Sequence, residues 1–333
     1  MRRFVVGLVV TVVCVALLVR LIPVAATRAA LRAADPWFIA LAVSCLIASL
    51  AAKTVRWRLL LPETAPVTTG GLYRILHISY LLNNVLPARL GDVARVAMTT
   101  KPPGVRLGHV VSSMLTERLT DTVTLLACFL IISPFLPFPA AYESWLRAVW
   151  LVVAVIVLGV LIGTVFRSRL GALAKSDRVA SRLPGNARLR DEARSFSEGF
   201  RQLFSRRRVM PIWAWSWGAW TGAFAINWLL MKALGIHAPF AVAVLLTCTT
   251  NLAMLLPSSP GYVGVFHAAA TLSLLPFDVG GATALSFAIL AHLVNVVPVS
   301  LIGAVFLLMS RDSVNFNFQA MRNQQKAEAA AAE

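Results

Sequence analysis

Phe4 to Val19, Ala148 to Phe166, Val209 to Met231 and Val279 to Ser310 are uncharged, largely apolar runs. They approach or exceed the roughly 20 residues that a helix needs to cross a bilayer. Lipid offers no partner to a backbone N–H or C=O, so spanning segments are restricted to helices and closed barrels. Barrel strands would appear as alternating segments of about ten residues, and these runs do not alternate. An all-α integral membrane protein is expected. The composition agrees: 58% of the 333 residues are hydrophobic and 14% charged, with mean hydropathy +0.76, against about 25% charged in a soluble domain.

The net charge of +17 resembles a nucleic-acid signature until its distribution is considered. Between Arg167 and Arg208 stand 12 Lys/Arg against four acids, between two apolar runs. The positive-inside rule accounts for such a loop, and anionic headgroups would add attraction of about 1 kcal/mol per basic residue near the surface. No nucleic-acid partner is expected. Cys14, Cys45, Cys128 and Cys248 lie singly in apolar runs, without metal or disulfide spacing, and read as small core residues. No cofactor is expected. Met1-Arg2-Arg3 followed by a long apolar run is read as an uncleaved first helix, because the run is long for a signal peptide.

Two apolar segments in matching places of the two halves are broken by the same device. Leu81 to Met98 contains Pro87-x-x-x-Gly91, and Thr250 to Ala269 contains Pro257-x-x-x-Gly261. Paired interruptions of this kind point to the substrate site of a secondary transporter. Charge asymmetry orients the rest, with both termini cytoplasmic. The reading gives about six full transmembrane helices plus two re-entrant hairpins (about Thr68 to Thr100, and Pro239 to Pro276) related as an inverted repeat. Within a single membrane domain, residues 1–35 form the first helix and linker and 36–133 repeat one. Residues 134–209 form helix four and the basic loop, 210–310 repeat two, and 311–333 a cytoplasmic tail. VRWRLLL (Val55 to Leu61) lies over INWLLMK (Ile226 to Lys232), and ERLTD (Glu117 to Asp121) over AHLVN (Ala291 to Asn295). In the basic loop, Leu189, Ala193, Phe196, Phe200, Leu203 and Phe204 recur at helical spacing, as an interfacial helix or a packed soluble element would.

Chemistry concentrates at the breaks. Pro87 ends one half-helix and Gly91 gives a permissive backbone. Asp92 can cap the next half-helix, whose N-terminus favours anions. Arg89 can fork onto phosphate oxygens, with Arg95 one turn along. Alternatively, Arg89 and Asp92 pair to hold the turn. The facing site offers Ser258 and Ser259 as caps, Gly261 for close approach, and Asn251 as an intramembrane amide; a packed helical corner would use the same residues. Glu117, Arg118 and Asp121 lie well inside a helix starting near His109, where ionisable groups are costly and usually functional; if the helix starts later, ERLTD is instead its wet cytoplasmic end. Glu117 and Asp121 share a face and require cations. Asn84 adds a neutral contact. The run Val209 to Met231 is rich in tryptophan (Trp213, Trp215, Trp217, Trp220, Trp228), and an aromatic belt explains the ones near its start; His292 reads as the one histidine buried in mid-helix.

Asn83 to Arg95 (N-x3-PARxGD-x2-R), ERLTD, and the PxxPGxxG of Pro257 to Gly264 occur in an order that resembles the flippase-like family. That family includes the transmembrane region of the lysylphosphatidylglycerol synthases (multiple peptide resistance factor). The resemblance covers nearly the whole chain and implies a polytopic bacterial inner-membrane protein that translocates lipid. The aminoacyl-transferase domain of those synthases is not expected, since only Arg311 to Glu333 follows the last helix. The expected function is movement of a phospholipid or polyprenyl-linked headgroup, with membrane lipids as partners. Two alternatives remain: a transferase using Glu117 or Asp121, and an accessory protein holding a separately encoded transferase. No ATPase motif is present, so transport would be downhill or ion-coupled.

Overall fold

The computed structural model describes residues 24–86, 89–136, 206–254 and 260–309, with isolated positions between 147 and 158. The expected first and fourth helices, the interfacial stretch at 189–204, the tail, Pro87, Pro257, Ser258 and Ser259 lie outside the described residues, isolated positions apart.

Every long element among the described residues is an α-helix: α1 (Val24–Arg32), α2 (Pro36–Leu60), α3 (Thr69–Val85), α4 (Leu90–Thr100), α5 (Leu107–Ile132), α6 (Arg206–Ala233), α7 (Phe240–Ala253), α8 (Val265–Leu274) and α9 (Gly281–Met309). Helix starts follow local chemistry. Asp35 caps α2 by accepting from the Trp37 N–H at 2.8 Å, with Pro36 in the first turn. Thr68 caps α3 through the Gly71 N–H at 3.1 Å.

The element order repeats. Residues 36–132 and 206–309 each run as a long helix, two shorter packed helices and another long helix. Among the described residues, three segments are long and apolar enough to cross a membrane: α2, Leu107–Phe135 and α9. Helix α6 has 28 residues, but its five tryptophans and three leading arginines make it less apolar than those three.

Solvent-type exposure of the apolar faces fits lipid. Leu293, Val297, Leu301, Val305 and Leu308 form an exposed stripe along α9, and Leu107, Val111, Leu115 and Leu119 one along α5. In water such stripes would require a partner; a bilayer covers them. The interior is held by a core of α2, α6, α7, α8 and α9 that includes Leu46, Leu230, Leu246, Ala270 and Phe287. A second cluster, around Trp57, Leu72, Val110 and Ile212, joins α2, α3, α5 and α6. Helices α2 and α6 approach closely through small residues, with the Ser49 hydroxyl donating to the Ala219 carbonyl at 2.7 Å.

Both broken segments do break. Helix α3 ends at Val85 and α4 begins at Leu90, and α7 ends at Ala253 and α8 begins at Val265. Gly91 packs α4 onto α3 so tightly that a Cβ there would collide with the Ser79 carbonyl and the Asn83 amide. Only glycine allows that approach.

Candidate functional site

A cavity of about 270 Å³ opens where α2, α3, α6, α7 and α9 meet the two interhelical turns. Its lining combines cations with amides. Lys53 on α2, Arg89 at the α3–α4 turn and Arg118 on α5 supply positive charge. Asn227 on α6, Asn251 on α7 and Asn295 on α9 supply amides. Gly261, Tyr262 and Asn84 border it at the turns, and among the described residues no carboxylate lines it.

Arg89 gets there through its backbone. It holds left-handed φ and ψ of 55° and 38° at the start of α4, costly for a non-glycine residue. Its side chain leaves the α3–α4 pair and donates from Nη2 to the Met254 carbonyl, at the C-terminal end of α7, at 2.8 Å. The guanidinium also lies 5.7 Å from the ring centre of Tyr262, itself left-handed at φ 59°. The two turns therefore touch, and Gly261 sits against the Asn84 carbonyl. Asn84 reaches the other way, donating to the Ser300 hydroxyl of α9 at 3.0 Å.

The carboxylates stand behind this surface in an arginine network. Glu117 receives both nitrogens of a fork from Arg95, at 2.7 and 3.4 Å, and Arg56 approaches it at 3.7 Å. Arg56 also donates to Asp121 and, at 3.1 Å, to the Ser216 hydroxyl. The Arg95 guanidinium lies 3.7 Å from the ring centre of Trp57. Arg56, Arg95 and Glu117 are all buried, so each charge depends on its partners. Asp92 accepts from Asn83 at 3.1 Å and from Arg118 at 3.4 Å. The expectation that Asp92 caps α4 is corrected. The N-cap position is Arg89, without a side-chain cap bond, and Asp92 lies within the first turn, facing α3 and α5.

Trp220 divides the two regions. Its Nε1–H donates to Asp121 at 3.0 Å, while Lys53 lies 4.8 Å from its ring centre. It lines the cavity and is buried, whereas Trp215 and Trp217 are exposed as belt residues would be. Trp220 is thus a cavity residue, unlike the exposed pair.

Of the residues expected from sequence, Asn84, Arg89, Arg118, Asn251 and Gly261 come together at the cavity. Arg95, Glu117, Asp121 and Asp92 lie in the network behind it. Lys53, Trp220, Asn227 and Asn295 were missed as site residues. A lysine or amide within an apolar helix is itself a signal, and would have marked Lys53, Asn227 and Asn295. His292 lines the cavity, with the tilted ring of His267 centred 4.8 Å away, while the fully buried histidine is His77. Buried His77 is fixed by a 2.9 Å contact between its Nδ1 and the Tyr73 carbonyl.

A helical protein with lipid-compatible faces and a polar cavity between two helix pairs belongs to the class of polytopic membrane proteins. The chain is a member of the lysylphosphatidylglycerol synthase transmembrane-region family, whose model matches residues 4–303. The family assigns it a membrane location and a lipid-related function. No curated protein and no solved structure matches it.

Proposed function

We propose that this protein is a lipid translocator that carries a phospholipid or polyprenyl-linked headgroup across the bacterial inner membrane. The observation that carries the reading is a charged, amide-lined cavity inside a protein whose outer helical faces are apolar. Its size supports a headgroup route. A cavity of about 270 Å³ lies just below the roughly 300–1,000 Å³ of pockets for drug-sized ligands, so acyl or prenyl tails would stay in the bilayer.

In this reading α3–α4 and α7–α8 are re-entrant hairpins of an inverted repeat, entering from opposite faces with both termini cytoplasmic. The repeated element order and the meeting of the two turns at Arg89, Met254 and Tyr262 support it. The carboxylates that a transferase would need are engaged by arginine, which favours carriage over group transfer.

Cells with and without the protein test the reading. Extracted lipids are quantified by mass spectrometry, and the outer-leaflet fraction of each species is measured with an impermeant reagent. The expected result is an unchanged lipid inventory with one species depleted from one leaflet. Disappearance of a species would favour an enzyme, and an unchanged distribution would contradict translocation.

A further inference from the structure

Two imidazoles, from α8 and α9, stand side by side at the cavity. His292 of α9 lines it, and the ring of His267 of α8 is centred 4.8 Å away, tilted by 36°. Phe266, also on the lining, packs edge-on against both rings at 5.3 and 6.0 Å. Histidine is the side chain that changes charge near neutral pH. Hydrogen bonding makes these two unequal. The Gly264 N–H, at the N-cap of α8, donates to His267 Nδ1 at 3.4 Å. A backbone N–H only donates, so Nδ1 keeps its lone pair and the ring proton sits on Nε2. A second proton on His267 would set two donors face to face and break the bond that closes the start of α8. The His292 ring makes no hydrogen bond among the described residues, which leaves one nitrogen of its uncharged form a free acceptor. Two rings this close do not both hold a charge. The pair takes one proton, at His292.

Charge around the cavity decides when the proton binds. Lys53 from α2, Arg89 from the first turn and Arg118 from α5 line it with His292, as do the phenols Tyr80 of α3 and Tyr262 of the second turn. Arg118 is paired with Asp92, and among the described residues no carboxylate reaches the lining. Other ionisable groups on the helices packed against α8 and α9 are directed or placed elsewhere. Tyr73, Arg74 and His77 of α3 meet α9 at Phe306, about 21 Å along the helix from His292. Helix α1, with Arg28 and Arg32 exposed, meets it at Ser286, about 9 Å from His292. Arg56 of α2 faces the network, and Cys248 of α7 donates to the Leu125 carbonyl of α5. Helix α6 carries charge only at its ends, Arg206 to Arg208 and Lys232, and Asp278 precedes α9. The empty cavity thus repels a further positive charge on its lining. A phosphate within its 270 Å³ or so reverses that field, and a low dielectric extends the reach of the reversal.

From this geometry, and resting on the translocator reading above, we infer that His292 is a proton-binding site linked to the ligand of the cavity: a lipid phosphate binds together with one proton. The proton comes from water, sits on the free ring nitrogen of His292 and returns to water on release; no covalent bond to the lipid forms. His267 is a positioning residue, fixed by the Gly264 N–H. Linkage makes the effect mutual, so the proton tightens phosphate binding by the factor by which phosphate tightens proton binding.

Short-chain phosphatidylglycerol, a phosphodiester that does not itself titrate near neutral pH, is titrated into purified full-length protein in detergent. Calorimetry in two buffers of different ionisation enthalpy counts the protons taken up on binding. Wild-type protein is expected to take up protons at pH 7, at most one per lipid. It should also bind at least threefold more tightly at pH 6 than at pH 8, because a complex that holds an extra proton is favoured as pH falls. His292→Gln should abolish the uptake and flatten the pH dependence, whereas His267→Gln should retain both. His237→Gln, at an exposed position between α6 and α7, is the control and should also retain both. Uptake that survives in His292→Gln protein, or that is lost from His267→Gln protein alone, would overturn the assignment. Wild-type protein that binds the lipid without uptake, or does not bind it, would overturn it even where a variant fails to fold. Leaflet exchange of fluorescent phosphatidylglycerol in vesicles keeps the two readings apart. Exchange without proton uptake removes the proton site and leaves translocation standing; uptake without exchange upholds the site and removes translocation.

Discussion

Arg89 and Met254 join the two helix pairs: the guanidinium of the first turn donates at 2.8 Å to the carbonyl at the end of α7. Because Arg89 occupies left-handed backbone, its substitutions separate geometry from charge. Asparagine tolerates that conformation, so Arg89→Asn should keep the turn and lose the contact. A charge-assisted hydrogen bond contributes about 1.5–3 kcal/mol, and a loss of that order is expected in an unfolding titration. Arg89→Leu, which also disfavours the backbone, should lose more. Equal stability of wild type and both variants would show that the contact holds nothing together.

Glu117 is the hub on which Arg95 and Arg56 converge. Removing one member of a buried ion pair leaves an uncompensated charge, at a cost of about 3–5 kcal/mol. Glu117→Ala should therefore unfold far more readily than Glu63→Ala, whose carboxylate is 86% exposed and bonded to Arg208, a pair of a kind that contributes about 0–1 kcal/mol. Denaturant titration of both variants in the same detergent makes the comparison. Similar losses would mean that the network does not carry the helix packing.

Gly91→Ala should separate α4 from α3, since the added methyl meets the Ser79 carbonyl and the Asn83 amide. Overpacking of this kind costs about 1–3 kcal/mol. Gly70→Ala in α3 has open space around it and serves as the matched control, with no loss expected. Unfolding temperatures measured side by side decide the matter.

A wet cavity predicts a labelling pattern. In a background with all four cysteines replaced by alanine, Asn295→Cys should react rapidly with a water-soluble maleimide. Ala243→Cys, in the fully buried core, should react at least tenfold more slowly. Comparable rates would mean that no water reaches Asn295.

How much of this was legible in the sequence depended on scale. Among the described residues, apolar runs and proline–glycine breaks located the long helices and both interruptions, because lipid leaves the backbone few choices. Of the charges in ERLTD, Glu117 is buried and Arg118 is half exposed; the helix starts at Leu107, which puts Glu117 and Asp121 about 15 and 21 Å along it. What spacing could not show was direction. Arg89 and Arg95 read as neighbours on one half-helix, yet Arg89 is outside helical backbone and turns to α7, while Arg95 turns to α5. Lys53 and Arg56, three residues apart on α2, sit about 60° apart around its axis. Trp220 stands between their surroundings, so one reaches the cavity and the other the network. That division depends on packing by α6, far away in the chain.

Ala223 lines the cavity from α6, and replacing it removes no hydrogen-bonding side chain, which makes it the cleanest place to obstruct the route. Phosphatidylglycerol exchange between leaflets is measured in vesicles containing wild-type or Ala223→Trp protein, each matched for unfolding temperature. If headgroups cross through this cavity, the substitution should slow exchange at least tenfold in protein that remains folded. Undiminished exchange through folded Ala223→Trp protein would place the route elsewhere and contradict the account.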